Sequence, residues 1–207
     1  MSRLPISNKI IGLGDSHLDL FTYFCNATCR IPGATAYGLT SLTSETSARQ
    51  GFLNFLASFP TQIPLLCIGE VDCNSLPWRA EITTDPHQVI HNSVNNLFTF
   101  ISETNRKFIL PSVTLPPVES YKDLSIRKHV PSSKLERTLL VNLYNKLLKE
   151  KSLKLGHYYI DITSPTTDTL GFVHQDYIIS PIDVHLSSYK MHNIIRSTIS
   201  SLGIPND

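Results

Sequence analysis

The chain reads as an α/β protein built around a mainly parallel sheet. Short apolar runs that end in glycine or a polar residue alternate along it with amphipathic stretches. The stretches are roughly ten residues or longer, enough for crossovers between parallel strands and too long for tight hairpins. Residues able to do chemistry gather just after the apolar runs, at the sheet edge where ligands bind in such folds.

The elements follow in order. Lys9–Gly14 is a buried strand, and Ser16–Thr28 is expected as a helix with Leu18, Phe21 and Phe24 on related faces. Arg30–Ala36 is expected to hold a second strand. Thr43–Phe59 carries Phe52, Leu53, Leu56 and Phe59 at helical spacing, and Pro60 stops it. Ile63–Gly69 is the third strand. A polar segment, Glu70–Asp85, follows and holds the single tryptophan, Trp78. Pro86–Glu103 is a helix and Lys107–Val113 the fourth strand. A polar loop then runs to about Val130. Ser132 or Ser133 caps a helix carrying Leu135, Leu139, Leu140, Leu143, Leu147 and Leu148. His157–Ile162 is the fifth strand. A second long loop reaches Pro181, and Ser187–Leu202 closes the chain as a helix. With no repeat, low-complexity tract or linker, residues 1–207 are expected as one domain.

Composition narrows the function classes. Of 207 residues, 41% are hydrophobic and 17% charged, which suits a folded globular chain and not a disordered one. A formal net charge of +1 gives no global field for nucleic acid or an anionic membrane. No apolar run is long enough to span a bilayer, and Met1–Asn8 does not read as a secretory signal, so a cytoplasmic location is expected. The four cysteines, Cys25, Cys29, Cys67 and Cys73, are expected as reduced, structural thiols. Cys25 and Cys29 have a zinc-like spacing but lack a second pair, and the histidines are too scattered to suggest a metal cluster.

Two segments carry the chemistry. Gly14-Asp15-Ser16-His17 follows a strand and opens a helical turn. A serine there is exposed beside unpaired N–H groups, which suits a nucleophile and its oxyanion. The same turn would also serve a helix cap or a phosphate. Near the other end, Asp183-Val184-His185 precedes the last helix. His185 is placed to act as a base with Asp183 orienting it, or to lie at the surface with Asp183 as a cap.

Together with Thr35-Ala36-Tyr37-Gly38-Leu39 and Ile68-Gly69-Glu70-Val71-Asp72-Cys73, these segments resemble the SGNH/GDSL hydrolases, in a bacterial branch with a Gly-Glu-Val/Ile-Asp-Cys block. The resemblance spans nearly the whole chain. It implies a three-layer α/β/α domain with a five-stranded parallel sheet, of flavodoxin-like architecture, with no metal or organic cofactor. It implies Ser16 as nucleophile, His185 as base and Asp183 as third member, with the N–H groups of Ser16 and Gly38 as the oxyanion hole.

The sequence departs from the family pattern at three places. Val71 stands where the pattern has an Asn donor, which Asn74, Arg79 or a backbone N–H would have to replace. Strict Asp-x-x-His spacing would put Asp at Ile182, whereas Asp183 is one residue nearer. His17 replaces the usual Leu and is expected either at the substrate or in solvent. Asp15, His17, Glu70, Asp72, Asn74 and Arg79 are the candidate substrate-binding residues. Glu70 and Asp72 would bind a sugar hydroxyl, position Arg79, or hold their own loop. Trp78, Tyr37 and Tyr121 would offer an aromatic platform for a sugar, or pack.

The leading expectation is a serine esterase acting on a small-molecule or glycan acyl ester, such as an O-acetyl sugar. An O-acyltransferase would use the same acyl-enzyme. A carbohydrate-binding or assembly module without activity is the third reading, and it would leave Ser16 Oγ far from the His185 ring.

Overall fold

The computed structural model describes residues 9–79, 81–119, 132–180 and 183–204. Five strands form one all-parallel sheet in the order β2-β1-β3-β4-β5. They are β1 (Ile10–Gly14), β2 (Ala27–Arg30), β3 (Ile63–Cys67), β4 (Ile109–Pro111) and β5 (Tyr158–Ile160). The α-helices are α1 (Ala48–Ser58), α2 (Glu70–Asn74), α3 (Pro86–Thr104), α4 (Lys134–Lys154) and α5 (Ser188–Ser200). Each parallel pair needs a crossover, and crossovers are right-handed. The chain leaves β1 toward β2 and then returns past β1 to β3, so the direction reverses there. That reversal puts helices on both faces of the sheet. It also makes the gap between the ends of β1 and β3 the switch point, where this fold class takes its ligands.

β1 is buried at all five positions, as a central strand covered on both faces must be. It ends at a close approach. A Cβ on Gly14 would lie 2.1 Å from Cys67 O, so only glycine lets β1 meet β3 there. The next N–H, of Asp15, continues the pairing with a bond to the same Cys67 O. At the end of the neighbouring strand, Gly69 has φ of +125° with Tyr144 packed over it. The two glycines therefore fix both walls of the switch point.

Several elements differ from the expectation. Ser16–Thr28 is not one α-helix: it forms 3₁₀ turns at Ser16–Leu20 and Thr22–Phe24. Leu18, Phe21 and Phe24 recur every third residue, which is the 3₁₀ period. The second strand is Ala27–Arg30 and not Arg30–Ala36, because Pro32-Gly33 turns the chain out of the sheet. α1 starts only at Ala48. The preceding Ser44 and Thr46 hydroxyls bond each other, as such residues do when they compete with helical backbone. The start of the Glu70–Asp85 segment is helix α2, buried at all five positions.

α4 opens with a capping box, in which Ser133 Oγ accepts the Glu136 N–H and Glu136 accepts the Ser133 N–H. Its buried face includes Arg137, Leu140, Val141, Tyr144 and Leu148, whereas Leu135 and Leu139 are exposed. The Arg137 guanidinium donates to the carbonyls of Ser132, Val118 and Glu119. Among the described residues, no helix is long and apolar enough to cross a membrane.

Candidate active site

Ser16 is the first residue of the 3₁₀ turn after β1 and is half-buried. Asp15 is the cap of that turn, and its Oδ1 accepts the His17 N–H at 2.8 Å. From the far end of the chain, the His185 ring reaches this turn. Its Nε2 lies 3.0 Å from Ser16 Oγ, and its Nδ1 lies 2.9 Å from Asp183 Oδ1. The same Asp183 oxygen accepts the His185 N–H at 2.9 Å, so one carboxylate oxygen fixes both the backbone and the ring. Burial pushes the Asp183 carboxyl up, but the bonds from the His185 N–H and ring outweigh it and hold the group below the usual carboxylate range. Asp183 is thus ionised at neutral pH.

The segment carrying His185 is anchored through Val184. The Val184 side chain packs with Val118 and Trp78, and its carbonyl accepts a bond from His17 Nε2 at 3.3 Å. The rings of His17 and His185 stack with centroids 4.7 Å apart and an interplanar angle of 30°.

His17 is therefore neither a solvent residue nor simply a substrate contact. Its side chain is 5% exposed, with Nδ1 3.3 Å from Asp15 Oδ1 and 3.9 Å from Glu70 Oε2. Burial by itself would lower its pKa. Glu70 first, then Asp15 and the Val184 carbonyl, outweigh burial and push it up to about 9.

A pocket of about 250 Å³ opens at this pair, lined among others by Ser16, His17, Asp19, Leu20, Ile179, Asp183, His185 and Ser188. Asp19, Leu20, Ile179 and Ser188 were not expected from sequence, and no motif marks them. Asp15 and Glu70 line instead a cavity of only about 10 Å³ on the inner side, with His17 between the two spaces. Asn74 is buried, and its Nδ2 donates to Glu70 Oε1 at 3.2 Å. Asp72 is fully buried and accepts the Ala36 and Tyr37 N–H groups and the Ser93 hydroxyl, all within 2.8 Å. Burial pushes it up to about 6 against those bonds. Its partners are the 36–37 turn and α3, so it holds a loop. Arg79 is exposed. Val71 is buried.

Gly38 lies in a 3₁₀ turn, and its N–H is directed at Thr35, 3.0 Å from Oγ1. It does not line the pocket at Ser16. Trp78 is packed and half-buried, Tyr37 is held by backbone bonds, and Tyr121 and Ile182 lie outside the described residues. All four cysteines are free, and burial pushes the Cys73 thiol well above its ordinary range. Among the described residues, no group of three or more His, Cys, Asp or Glu is placed to hold a metal ion.

With this geometry in hand, solved structures give the comparison. An acetylxylan esterase of Geobacillus stearothermophilus, solved as a catalytic mutant, matches with a TM-score of 0.57 and 14% identity over 96% of this chain and 95% of its own. A carbohydrate acetylesterase of Sinorhizobium meliloti matches with a TM-score of 0.58 and 12% identity over 93% and 98%. A GDSL-like lipase of Bacteroides thetaiotaomicron matches with a TM-score of 0.59 and 13% identity over 98% and 91%. The fold is that of the SGNH/GDSL hydrolases. No family model and no curated protein matches the sequence.

Proposed function

We propose that the chain, acting as a single domain, is a serine hydrolase of carboxylic esters. The observation that carries this reading is the relay Ser16 Oγ, His185 Nε2, His185 Nδ1, Asp183 Oδ1, with links of 3.0 and 2.9 Å at the mouth of a pocket. Those are working distances for a nucleophile, its base and an orienting carboxylate.

His185 Nε2 takes the Ser16 proton as Oγ attacks the acyl carbonyl. Asp183 stabilises the imidazolium. The N–H of Ser16, at the open end of its turn, is the first oxyanion donor. Gly38, the second donor that the resemblance implies, would have to release its N–H from Thr35 and reach a pocket whose lining it does not join. His185 returns the proton to the leaving alcohol. Water, deprotonated by the same ring, then releases the acid.

The substrate we favour is a short acyl ester of a carbohydrate, such as an O-acetyl group. The solved acetylesterases with this fold support that choice, and so does the modest pocket. Leu20, Leu186 and Ile179 offer it apolar walls, and Asp19 and Ser188 accept or donate to hydroxyls at the mouth. The inner group of Asp15, Glu70, Asp72 and Asn74 supports the site from behind instead of binding sugar. Four free thiols suit the reducing cytoplasm as the place of action.

A fluorophosphonate probe followed by peptide mass spectrometry tests the reading. An adduct on Ser16 that disappears in His185→Ala, together with turnover of acetyl esters, is the expected result. A folded protein with no adduct and no turnover would sink it in favour of a binding module.

A further inference from the structure

The site contains the same short motif twice. Asp15-Ser16-His17 and Asp183-Val184-His185 are both Asp-x-His. In each, Asp Oδ1 accepts the N–H of the histidine two residues on, at 2.8 and 2.9 Å. In each, the histidine Nδ1 faces that same oxygen, at 3.3 and 2.9 Å. Each ring then reaches across to the middle residue of the other motif: His185 Nε2 to Ser16 Oγ, and His17 Nε2 to Val184 O. The two rings stack between them. The base therefore rests on a second, buried histidine.

The surroundings of His17 define its charge. The side-chain acceptors near its ring are Asp15 Oδ1 and Glu70 Oε2, and Val184 O is a backbone acceptor. A neutral imidazole has one bare nitrogen, and here it would face either the carboxylates or a carbonyl. An imidazolium presents N–H to all three. Two stacked imidazolium ions repel, so a fixed charge on His17 disfavours a proton on His185.

We propose that His17 is a positioning residue for the Ser16–His185 pair: a buried cation that holds the His185 segment through the Val184 carbonyl and sets its charge against the stacked base ring. The proposal rests on the serine-hydrolase reading above. Among the described residues, the ionisable groups facing His17 are Asp15 on its own turn, Glu70 at the start of α2, and Asp183 with His185 before α5. Asp19 shares the pocket, and the Cys67 thiol at the end of β3 shares the inner cavity. Removing the cation leaves the carboxylates to attract a proton onto His185, so all changes push the base the same way.

Two variants separate charge from anchoring. H17Q keeps an N–H within reach of Val184 O but carries no charge. H17L loses both. The readout is the rate of Ser16 labelling by the fluorophosphonate as a function of pH. The acid limb should move up by on the order of one pH unit in both variants. H17L should also lose about tenfold in plateau rate as the base loses its alignment.

An NMR measurement on the unaltered protein needs no variant to fold. At pH 7.5 both ring nitrogens of His17 should carry protons. A singly protonated His17 ring would overturn the proposal, as would an unmoved acid limb in a labelled H17Q protein. No adduct on the unaltered Ser16 would overturn the serine reading and the positioning role with it. An adduct with an unmoved limb overturns the positioning role alone.

Discussion

The two Asp-x-His motifs share a local geometry and differ in solvent. The Asp15 and His17 side chains are 0% and 5% exposed, whereas Asp183 and His185 are 35% and 36% exposed. In the first motif the Glu70 and Asp15 carboxylates outweigh burial and hold a fixed charge, since a buried ion persists only among partners that hold it. Exposure leaves the second free to exchange protons with substrate and water. Local backbone chemistry alone thus does not make a histidine a base. Its access to solvent and to a nucleophile does.

The comparison breaks first at the exposed motif. H185A should lower ester turnover by about 10⁴-fold or more, because a serine without its base retains only binding and oxyanion catalysis. Its melting temperature should hardly change, as a half-exposed side chain is removed. Steady-state kinetics beside a thermal melt checks both halves.

The buried motif should respond in the opposite sense. H17L leaves the Asp15 and Glu70 carboxylates in the interior without their cation. Breaking a buried pair by removing one partner costs about 3–5 kcal/mol. Urea denaturation should show that loss with the slope unchanged. A loss within a few tenths of a kcal/mol would mean that His17 is neutral or hydrated.

A third expectation concerns pH. The folded pKa of His17, about 9, lies above its ordinary 6.5, so folding favours the protonated form. The stabilisation is fully present below about pH 6.5 and is lost as pH rises through 9. A displacement of that size is worth about 3 kcal/mol for a buried group. Asp72 acts with the same sign at lower pH: raised from 3.8 to about 6, it costs stability as pH rises through that window. Denaturation midpoints from pH 6.5 to 9 should therefore fall in the unaltered protein and stay nearly flat in H17Q.

The sequence made much of this legible where local chemistry decides the structure. Strands β1 and β3 follow from apolar runs closed by glycine, β4 and β5 from apolar runs without one, and Ser16 follows from its place after β1. Ser132 or Ser133 marked the start of α4, and Ser133 is the one that caps it. The sequence was mute where tertiary partners decide. Glu70–Asn74 looks like a polar loop because nothing local says that Ala36, Tyr37 and Ser93 will meet the Asp72 carboxylate. Nothing local says that Arg137 will take the inner face of α4 while Leu135 and Leu139 stay exposed. His17 was opaque for the same reason, although one signal was present: Asp-x-His occurs at both ends of the site.

The smallest effect sharpens the contrast most. In D183N the amide oxygen can still accept from the His185 N–H and ring, so the ring's tautomer and aim are preserved. What is lost is a negative charge beside the imidazolium of the transition state. Were this carboxylate as deeply buried as Asp15, the loss would be large, because low dielectric magnifies it. At 35% exposure, water takes over part of the stabilisation. Turnover should accordingly drop by less than the roughly 10⁴-fold that the same change costs a buried triad carboxylate, and by less than in H185A. Because an ionised Asp183 also favours the protonated ring, D183N should move the acid limb down, opposite to H17Q. The double variant should bring the limb back toward its starting pH. A limb that does not move in D183N would mean that Asp183 only caps the segment, and that the two motifs resemble each other in backbone alone.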